Sequence, residues 1–455
     1  MRLLRSPQQV NGGIILPSSL REFVKQLEID KQLLVVRREV DPRFELNAVV
    51  RKIQAGPNLP VIFEKVRGTP YRVISNTLGN TGIIAQLLGV GIEKVASRWA
   101  ELTTQGGGAI AEEHATEKSE FEEISLGQIP HITFSEKDAG PYLTASVIVA
   151  RDPDTGIANL SFHRMQIVDD GELRCRLSTS GDLYRIQQKM EARGEPLKAV
   201  VAIGLPPAVM LAGGTTIGPD VSEYNLAARI SGKRFPMQSS PTLGLPVPRG
   251  TEFVIEGEIL AGVRRKEGPF GEWMDYYVPP TDNHVFQVAK VHARKDGLFY
   301  AISAGSAEEI AMTALPIAGG IYTGVRTWVS GIKDVSCFPL LQFCAIQIDN
   351  KSEGQAQRAM VAAFGAEMNR VLYCVVVDED VNIHDWQDVL WAIATRCRPD
   401  RDIMQIPGVP SFARDPHKMH WGRLGIDATK PLAHAAAFER KKTPGLDTLK
   451  LEDYL

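Results

Sequence analysis

The sequence predicts a multidomain α+β protein in three successive parts, and three observations carry that expectation. Helix and strand signals alternate over residues 1–115, consecutive hairpin signals fill most of 116–310, and an α/β alternation returns over 311–455. The 455 residues are too many for one ordinary core, and length alone suggests about two to four domains. A hydrophobic fraction of 44% and a charged fraction of 23% are those of a soluble globular protein and exclude a disordered class. A formal charge of -3 gives no general pull towards nucleic acid or an anionic membrane.

In the first part, Ser19-Leu20-Arg21-Glu22 reads as a capping box, after which Leu20, Phe23, Val24 and Leu27 share one helical face. Strands are expected at Leu33–Arg37, Val61–Lys65 and Tyr71–Ser75, and helices near Ile83–Leu88 and Ile92–Thr103. Gln105–Glu123 is glycine-rich, then acidic, without periodicity, and reads as a linker.

The second part begins as hairpins: Leu143–Arg151, the turn Asp152-Pro153-Asp154-Thr155-Gly156, one strand over Ile157–Val168, the turn Asp169-Asp170-Gly171, then Leu173–Leu177. Such a run predicts an antiparallel sheet or small barrel. A helix (Asp182–Arg193), a strand (Ala199–Gly204), a helix (Ser222–Ser231), a strand (Thr251–Leu260) and a hairpin over Val285–Ile302 turning at Lys295-Asp296-Gly297 complete it. In the third part, strands at Phe343–Ile348 and Val371–Val377 alternate with helices at Gln355–Phe364 and Trp386–Arg396. Apolar strands between helices predict a sheet covered on both faces.

Cys175, Cys337, Cys344, Cys374 and Cys397 are odd in number and widely spaced, and are expected as free thiols in a reducing compartment. No signal-type apolar core and no membrane-length run is seen, so a cytoplasmic location and no membrane span are expected.

Three stretches carry candidate chemistry. In Glu267-Gly268-Pro269-Phe270-Gly271-Glu272, glycines around a Pro-Phe pair let the backbone turn sharply and present two carboxylates to one space. Two carboxylates in a poorly solvated space cannot both ionise cheaply, so one is expected to hold a proton near neutrality; the alternative is a polar turn with two solvated glutamates. On Asn159-Leu160-Ser161-Phe162-His163-Arg164, strand alternation sends Asn159, Ser161 and His163 one way and Phe162 and Arg164 the other. The stretch reads as a cavity wall or as a solvated edge strand. Ala212–Glu223 is a glycine-rich loop entering a helix, an arrangement that can cradle a phosphate, although neither nucleotide-loop spacing is present. His417 and His420 have a helical metal-ligand spacing but no nearby third ligand, and are expected at the surface. Met312, Leu315, Ile317 and Tyr322 read either as an apolar pocket wall or as ordinary helix packing.

Taken in this order, these stretches resemble the UbiD family of prenylated-FMN-dependent reversible decarboxylases. Four segments carry the resemblance: Asn159–Arg164, Pro219-Asp220-Val221-Ser222-Glu223-Tyr224, Glu256–Glu272, and the string Asp378–Arg396, reading DEDVNIHDWQDVLWAIATR. It covers the chain from about residue 15 to 430. The resemblance implies an N-terminal α/β domain, a central split β-barrel like that of flavin reductases, and a C-terminal α/β dimerisation domain. It implies prenylated FMN, delivered by a prenyl-FMN synthase, with manganese or magnesium at the flavin phosphate and, in many members, potassium.

Carried over by motif, Arg164, Glu267 and Glu272 form the catalytic network acting on a small carboxylic acid. Arg164 orients the substrate carboxylate, Glu267 holds Arg164, and Glu272 protonates the carbon that carbon dioxide leaves. Asn159, Ser161, His163, Arg164, Gly214, Thr215, Glu223 and Lys351 border the cofactor, and Asn159 and Glu223 bind the metal. Where many members carry a histidine ligand, this chain reads Ser180-Gly181-Asp182-Leu183, so Asp182, or Thr179 with a slipped register, takes that place. The alternatives are a flavin-binding protein without decarboxylase activity and an accessory subunit of a multi-component carboxylase. The Arg-Glu-Glu combination argues against the first, because flavin binding alone does not need it.

Overall fold

The computed structural model describes residues 16–104, 113–114, 120–218, 221–234, 236–411, 422–445, 448–449 and 454. Pro219, Asp220, His417, His420 and most of the expected linker lie outside them. One compact unit is built from residues up to Gly320 together with 337–341, the other from 321–336, 342–411 and the described residues from 422 on.

The first helix, Leu20–Ile29, starts where Ser19 accepts the amide of Glu22, and buries Leu20, Phe23 and Leu27. The N-terminal sheet runs in the order Leu34–Val36, Val61–Phe63, Arg72–Ser75, Leu298–Tyr300. Its last strand corrects an expectation. After the turn at Lys295–Gly297 the chain does not fold back on its own hairpin; Leu298–Tyr300 joins the N-terminal sheet parallel to Arg72–Ser75. Glu252 helps direct this exit, since its carboxylate accepts the Leu298 amide at 3.0 Å and the Arg21 Nε at 2.7 Å.

The central sheet has nine strands. Eight follow in the order Tyr142–Leu143, Met165–Asp169, Glu172–Cys175, Thr281–Arg294, Phe253–Glu267, Leu197–Ile203, Val147–Arg151, Ala158–Phe162, and Phe121–Ile124 pairs with Thr281–Arg294. Glu122 and Glu123 therefore belong to a strand, where a linker was expected. The single strand expected over Ile157–Val168 is broken at His163-Arg164, and its halves lie six places apart in the sheet order. On a flat sheet those places would be about 29 Å apart, at about 4.8 Å per strand. The two-residue connector reaches only about 11 Å. The sheet must therefore curl until its margins meet, and His163-Arg164 crosses the seam. Hydrogen bonds on both sides agree: the His163 amide donates to Ser146 O (3.3 Å) and the Arg176 amide to Arg164 O (3.3 Å). This is the split barrel.

In the second unit, five strands run Ile332–Ser336, Phe343–Ile348, Tyr373–Asp378, Arg423–Ala428, Ile403–Ile406, the middle three parallel. Helices Gln355–Ala366 and Trp386–Arg396 accompany them, close to their expected positions. Met312, Leu315, Ile317 and Tyr322 lie on one helix, Ala307–Trp328, the first three buried and Tyr322 half-buried. No helix among the described residues is long and apolar enough to cross a membrane, and all five cysteines are free.

Candidate active site

The seam places Arg164 against the loop that the sequence singles out. Glu267 ends the strand Phe253–Glu267, paired with Thr281. Gly268 then turns at φ 90, a backbone state that side chains disfavour. Phe270-Gly271 pairs with Tyr277-Val278, bringing Glu272 back beside Glu267. Arg164 donates from Nε to Glu267 Oε1 and from Nη2 to Glu267 Oε2, both at 3.0 Å, and from Nη1 to Glu272 Oε1. Its guanidinium lies 4.7 Å from the Phe270 ring centroid, and Phe270 packs on Tyr142 at 4.4 Å.

Two residues missing from the sequence reading complete this network. Tyr142 donates its hydroxyl to Glu267 Oε1 at 3.0 Å, and Asn283 Nδ2 donates to Glu267 Oε2 at 2.8 Å. Glu267, only 1% exposed, thus accepts four hydrogen bonds. Burial and the neighbouring Glu267 push the Tyr142 hydroxyl well above the ordinary tyrosine range, so it stays a donor. Burial alone would lower the Arg164 pKa, but its two carboxylate partners more than offset this and raise it. The charge at the seam is permanent.

Asn159, Ser161 and His163 form a second cluster along one side of their strand, as alternation requires. Glu223, first in the helix Glu223–Ser231, accepts from Asn159 Nδ2 (3.2 Å) and from the Leu160 amide (2.8 Å). Burial lifts its pKa to about 7. His163 Nδ1 lies 2.9 Å from Arg176 O, which can only accept, so Nδ1 carries the proton. Burial depresses the His163 pKa to about 4, and the ring is neutral. Its Nε2 therefore accepts the Ser161 hydroxyl at 2.8 Å, leaving Ser161 no hydrogen for Asn159 Oδ1 at 3.3 Å. Turning the Asn159 amide over only moves the shortage to the Glu223 side. The cluster is one donor short while Glu223 is ionised; a proton on Glu223 supplies it, and a cation among these hard oxygens would do the same.

The remaining candidates stand as follows. Asp182 opens the helix Asp182–Ala192 and pairs with Arg185; Thr179 is exposed; neither is hydrogen-bonded to Asn159 or Glu223. Among the described residues, no group of three or more His, Cys, Asp or Glu side chains is arranged to hold a metal. Ala212 and Gly213 are helical, where a loop was expected, and Gly214 caps that helix. The Thr215 amide and hydroxyl are spent on Ala212 O and Leu211 O, both at 3.0 Å. Lys351 belongs to the second unit, is exposed, and pairs with Asp349 at 2.5 Å.

Arg176 went unread in the sequence. Its Nε is buried without a hydrogen-bond partner, close enough to Arg164, Glu272 and Glu267 to feel their charges. Burial and Arg164 lower its pKa. A buried guanidinium N–H without an acceptor is costly, and among the described residues those of Arg174, Arg396 and Arg423 share the condition; that of Arg176 stands out by its place beside Arg164 and Glu272.

Together, the seam and its groups bring one buried guanidinium and two carboxylates into a single place, an arrangement with the parts to hold an anion and to move a proton. Comparison with known proteins narrows this reading. Family models of the 3-octaprenyl-4-hydroxybenzoate carboxy-lyase match residues 24–103 (N-terminal domain), 109–307 (Rift-related domain) and 310–428 (C-terminal domain). The chain is 33% identical over 429 residues to anhydromevalonate phosphate decarboxylase of Methanothermobacter thermautotrophicus, covering 92% of this chain and 99% of the relative. The Methanosarcina mazei protein of the same name is 31% identical over 432 residues, covering 93% and 99%. Among solved structures, the UbiD-class enzyme HmfF from Pelotomaculum thermopropionicum in complex with FMN superposes with a TM-score of 0.90 at 34% identity, covering 96% of this chain and all (100%) of that one. An evolved dimeric form of that enzyme in complex with prFMN gives 0.85 at 33% identity, covering 96% and 100%.

The chain belongs to the UbiD family and is a carboxy-lyase of the UbiD decarboxylase type.

Proposed function

We propose that the chain catalyses reversible, non-oxidative decarboxylation of an aromatic, heteroaromatic or α,β-unsaturated carboxylic acid, using prenylated FMN. The observation that carries this reading is the seam arginine held in a bidentate pair by Glu267 and touched by Glu272. Releasing carbon dioxide from such an acid leaves an electron pair on an sp2 carbon. Prenylated FMN, when bound, supplies an electrophilic carbon that takes up that pair. FMN and prFMN in the two HmfF structures support a flavin here.

The chain's own residues do the rest. Three of the five Arg164 N–H groups are engaged, leaving one on each terminal nitrogen to form a fork for the substrate carboxylate. Glu267 fixes that fork. Glu272 delivers the proton to the carbon vacated by carbon dioxide. Arg176 supplies its unpaired N–H to a flavin acceptor, and Ser161, His163, Gly214 and Thr215 border the cofactor. Asn159 and Glu223, with Asp182, would hold manganese or magnesium, whose charge would neutralise the flavin phosphate. Self-association into a dimer completes the proposal, and size-exclusion chromatography with light scattering tests it.

The central experiment is production of the chain together with a prenyl-FMN synthase. The cofactor spectrum is recorded, and carbon dioxide release is screened over hydroxybenzoates, pyrrole, furan, indole and phenazine carboxylates, cinnamates and anhydromevalonate phosphate. The last is included because two relatives carry its name. A cofactor-loaded protein that neither releases nor exchanges carbon dioxide with any of these acids refutes the proposal.

A further inference from the structure

We propose that Asp138 is a positioning residue for this decarboxylation: its carboxylate fixes the Gly271 amide and so sets where Glu272 stands against Arg164. The inference rests on the roles given to Arg164 and Glu272 above. Asp138 Oδ1 accepts the Gly271 amide at 2.8 Å, while Oδ2 accepts the Ser135 amide at 2.8 Å. One carboxylate thus bridges the short segment Ser135–Ala139 and the loop carrying the proton donor. The same segment grips the loop twice more. The Ala139 amide donates to Pro269 O at 2.9 Å, and the Lys137 amide donates to the Tyr277 hydroxyl at 3.2 Å.

The clasp is tight at its centre. A Cβ on Gly271 would lie 3.1 Å from Ser135 Oγ, so the Ser135 side chain packs closely against the loop at this point. On its other side, Glu272 is held within its own turn, through its amide to Tyr276 O and through its carbonyl to the Asp275 amide, both at 2.9 Å. Glu267 anchors the loop's start in the barrel, and Asp138 anchors it one residue before Glu272. Asp138 is half-buried; burial raises its pKa, and the charge of Arg164 opposes that rise. The guanidinium therefore sits in the field of three carboxylates, two touching it and one behind the loop. A half-buried carboxylate costs more than a neutral acceptor would, and here it satisfies one amide of the loop and one of its own segment at once.

Proton delivery requires donor and carbon within about 2.6–3.2 Å, and a shift of about 1 Å costs on the order of a hundredfold. Asp138→Ala frees the Gly271 amide, and Asp138→Asn keeps one acceptor and restores part of the clasp. We expect Asp138→Ala to raise hydrogen exchange of the 268–278 peptide about tenfold, and to lower kcat about thirty- to a hundredfold with KM changed less than about threefold. The acid for the kinetic arm is the panel member that the wild type decarboxylates fastest, and FMN, titrated by fluorescence quenching, is expected to bind with unchanged affinity. Asp138→Asn is expected to recover much of the loss; should the alanine variant not fold, the asparagine variant alone decides between partial loss and none. Unchanged exchange at 268–278, or a kcat within about twofold of wild type, overturns the inference, as does a loss of kcat matched by a loss of FMN affinity. If the wild type decarboxylates no panel acid, the functional proposal fails by itself, and hydrogen exchange still decides the clasp.

Discussion

Replacing Glu267 by glutamine is the sharpest test of the seam. The carboxylate accepts from Arg164 Nε and Tyr142 on one oxygen, and from Arg164 Nη2 and Asn283 on the other. A glutamine NH2 must replace one of those oxygens. On the Asn283 side the asparagine amide can turn over and accept, and on the Tyr142 side the hydroxyl can rotate and accept. In either orientation only one hydrogen bond from Arg164 is lost outright. One hydrogen bond to a charged group is worth about 1.5–3 kcal/mol. Removing one partner of a buried pair costs about 3–5 kcal/mol when nothing else compensates the charge, but Glu272 still touches Arg164. The expected loss is therefore about 1.5–3 kcal/mol, bounded by the lower limits of the two ranges. Urea unfolding followed by tyrosine and tryptophan fluorescence measures it as a lower midpoint at unchanged slope. Turnover should fall as well, because the guanidinium fork is no longer held. A glutamine variant within about 0.5 kcal/mol of wild type, with unchanged turnover, would show that the buried pair does not organise the site.

Other outcomes follow from the same geometry. Glu272→Gln should lose turnover by a factor of about 100 to 10,000, the range for a missing general acid, and keep its affinity for FMN in a quenching titration. Arg176→Ala should weaken FMN binding about tenfold, the effect of one hydrogen bond of about 1.4 kcal/mol, without lowering the unfolding midpoint. His284 is buried, and burial, helped by Arg264, depresses its pKa to about 4. The unfolded chain therefore binds more protons between about pH 6.5 and 4, so stability is lost as pH falls through that window. The His284 share of the loss is at most about 3 kcal/mol and about 2 kcal/mol after residual screening; His163, depressed alike, adds its own share, so His284→Gln should lessen the pH dependence by about half in urea titrations across that range.

Much of this was legible in the sequence wherever a local rule governed the outcome. Ser19 and Ser222 mark helix starts because a cap is decided by its own residue. The apolar strands of the second unit stand out because both faces are covered. The alternation of Asn159, Ser161 and His163 survives as a chain of side-chain contacts. What stayed hidden depends on distant partners. The helix Glu45–Gln54 starts at Phe44 with φ 72 and no capping side chain, and Pro207–Gly213 is buried on every side, so it shows no amphipathic period. Tyr142 and Asn283 reach Glu267 from 125 and 16 residues away, through a strand pairing that no local signal announces. The strand expected to stop at Leu260 continues to Glu267 because residues 260–263 bulge out of the ladder, with Ile259 and Arg264 on either side of the jump.

The break at His163-Arg164 joins fold and chemistry more closely than any motif does. Because the connector is two residues long, it crosses only a seam whose margins are already in contact, so the sheet cannot open without moving both residues. His163 faces the Asn159 and Glu223 cluster, and Arg164 faces Glu267 and Glu272. Adjacent residues that face opposite ways deliver one side chain to each cluster, so the distance between cation-binding oxygens and guanidinium is fixed by a single peptide unit. Lengthening the connector by one residue would relax the seam and flip one of the two side chains to the wrong side. Both clusters would then lose their register together, whereas a point substitution in either one leaves the other in place.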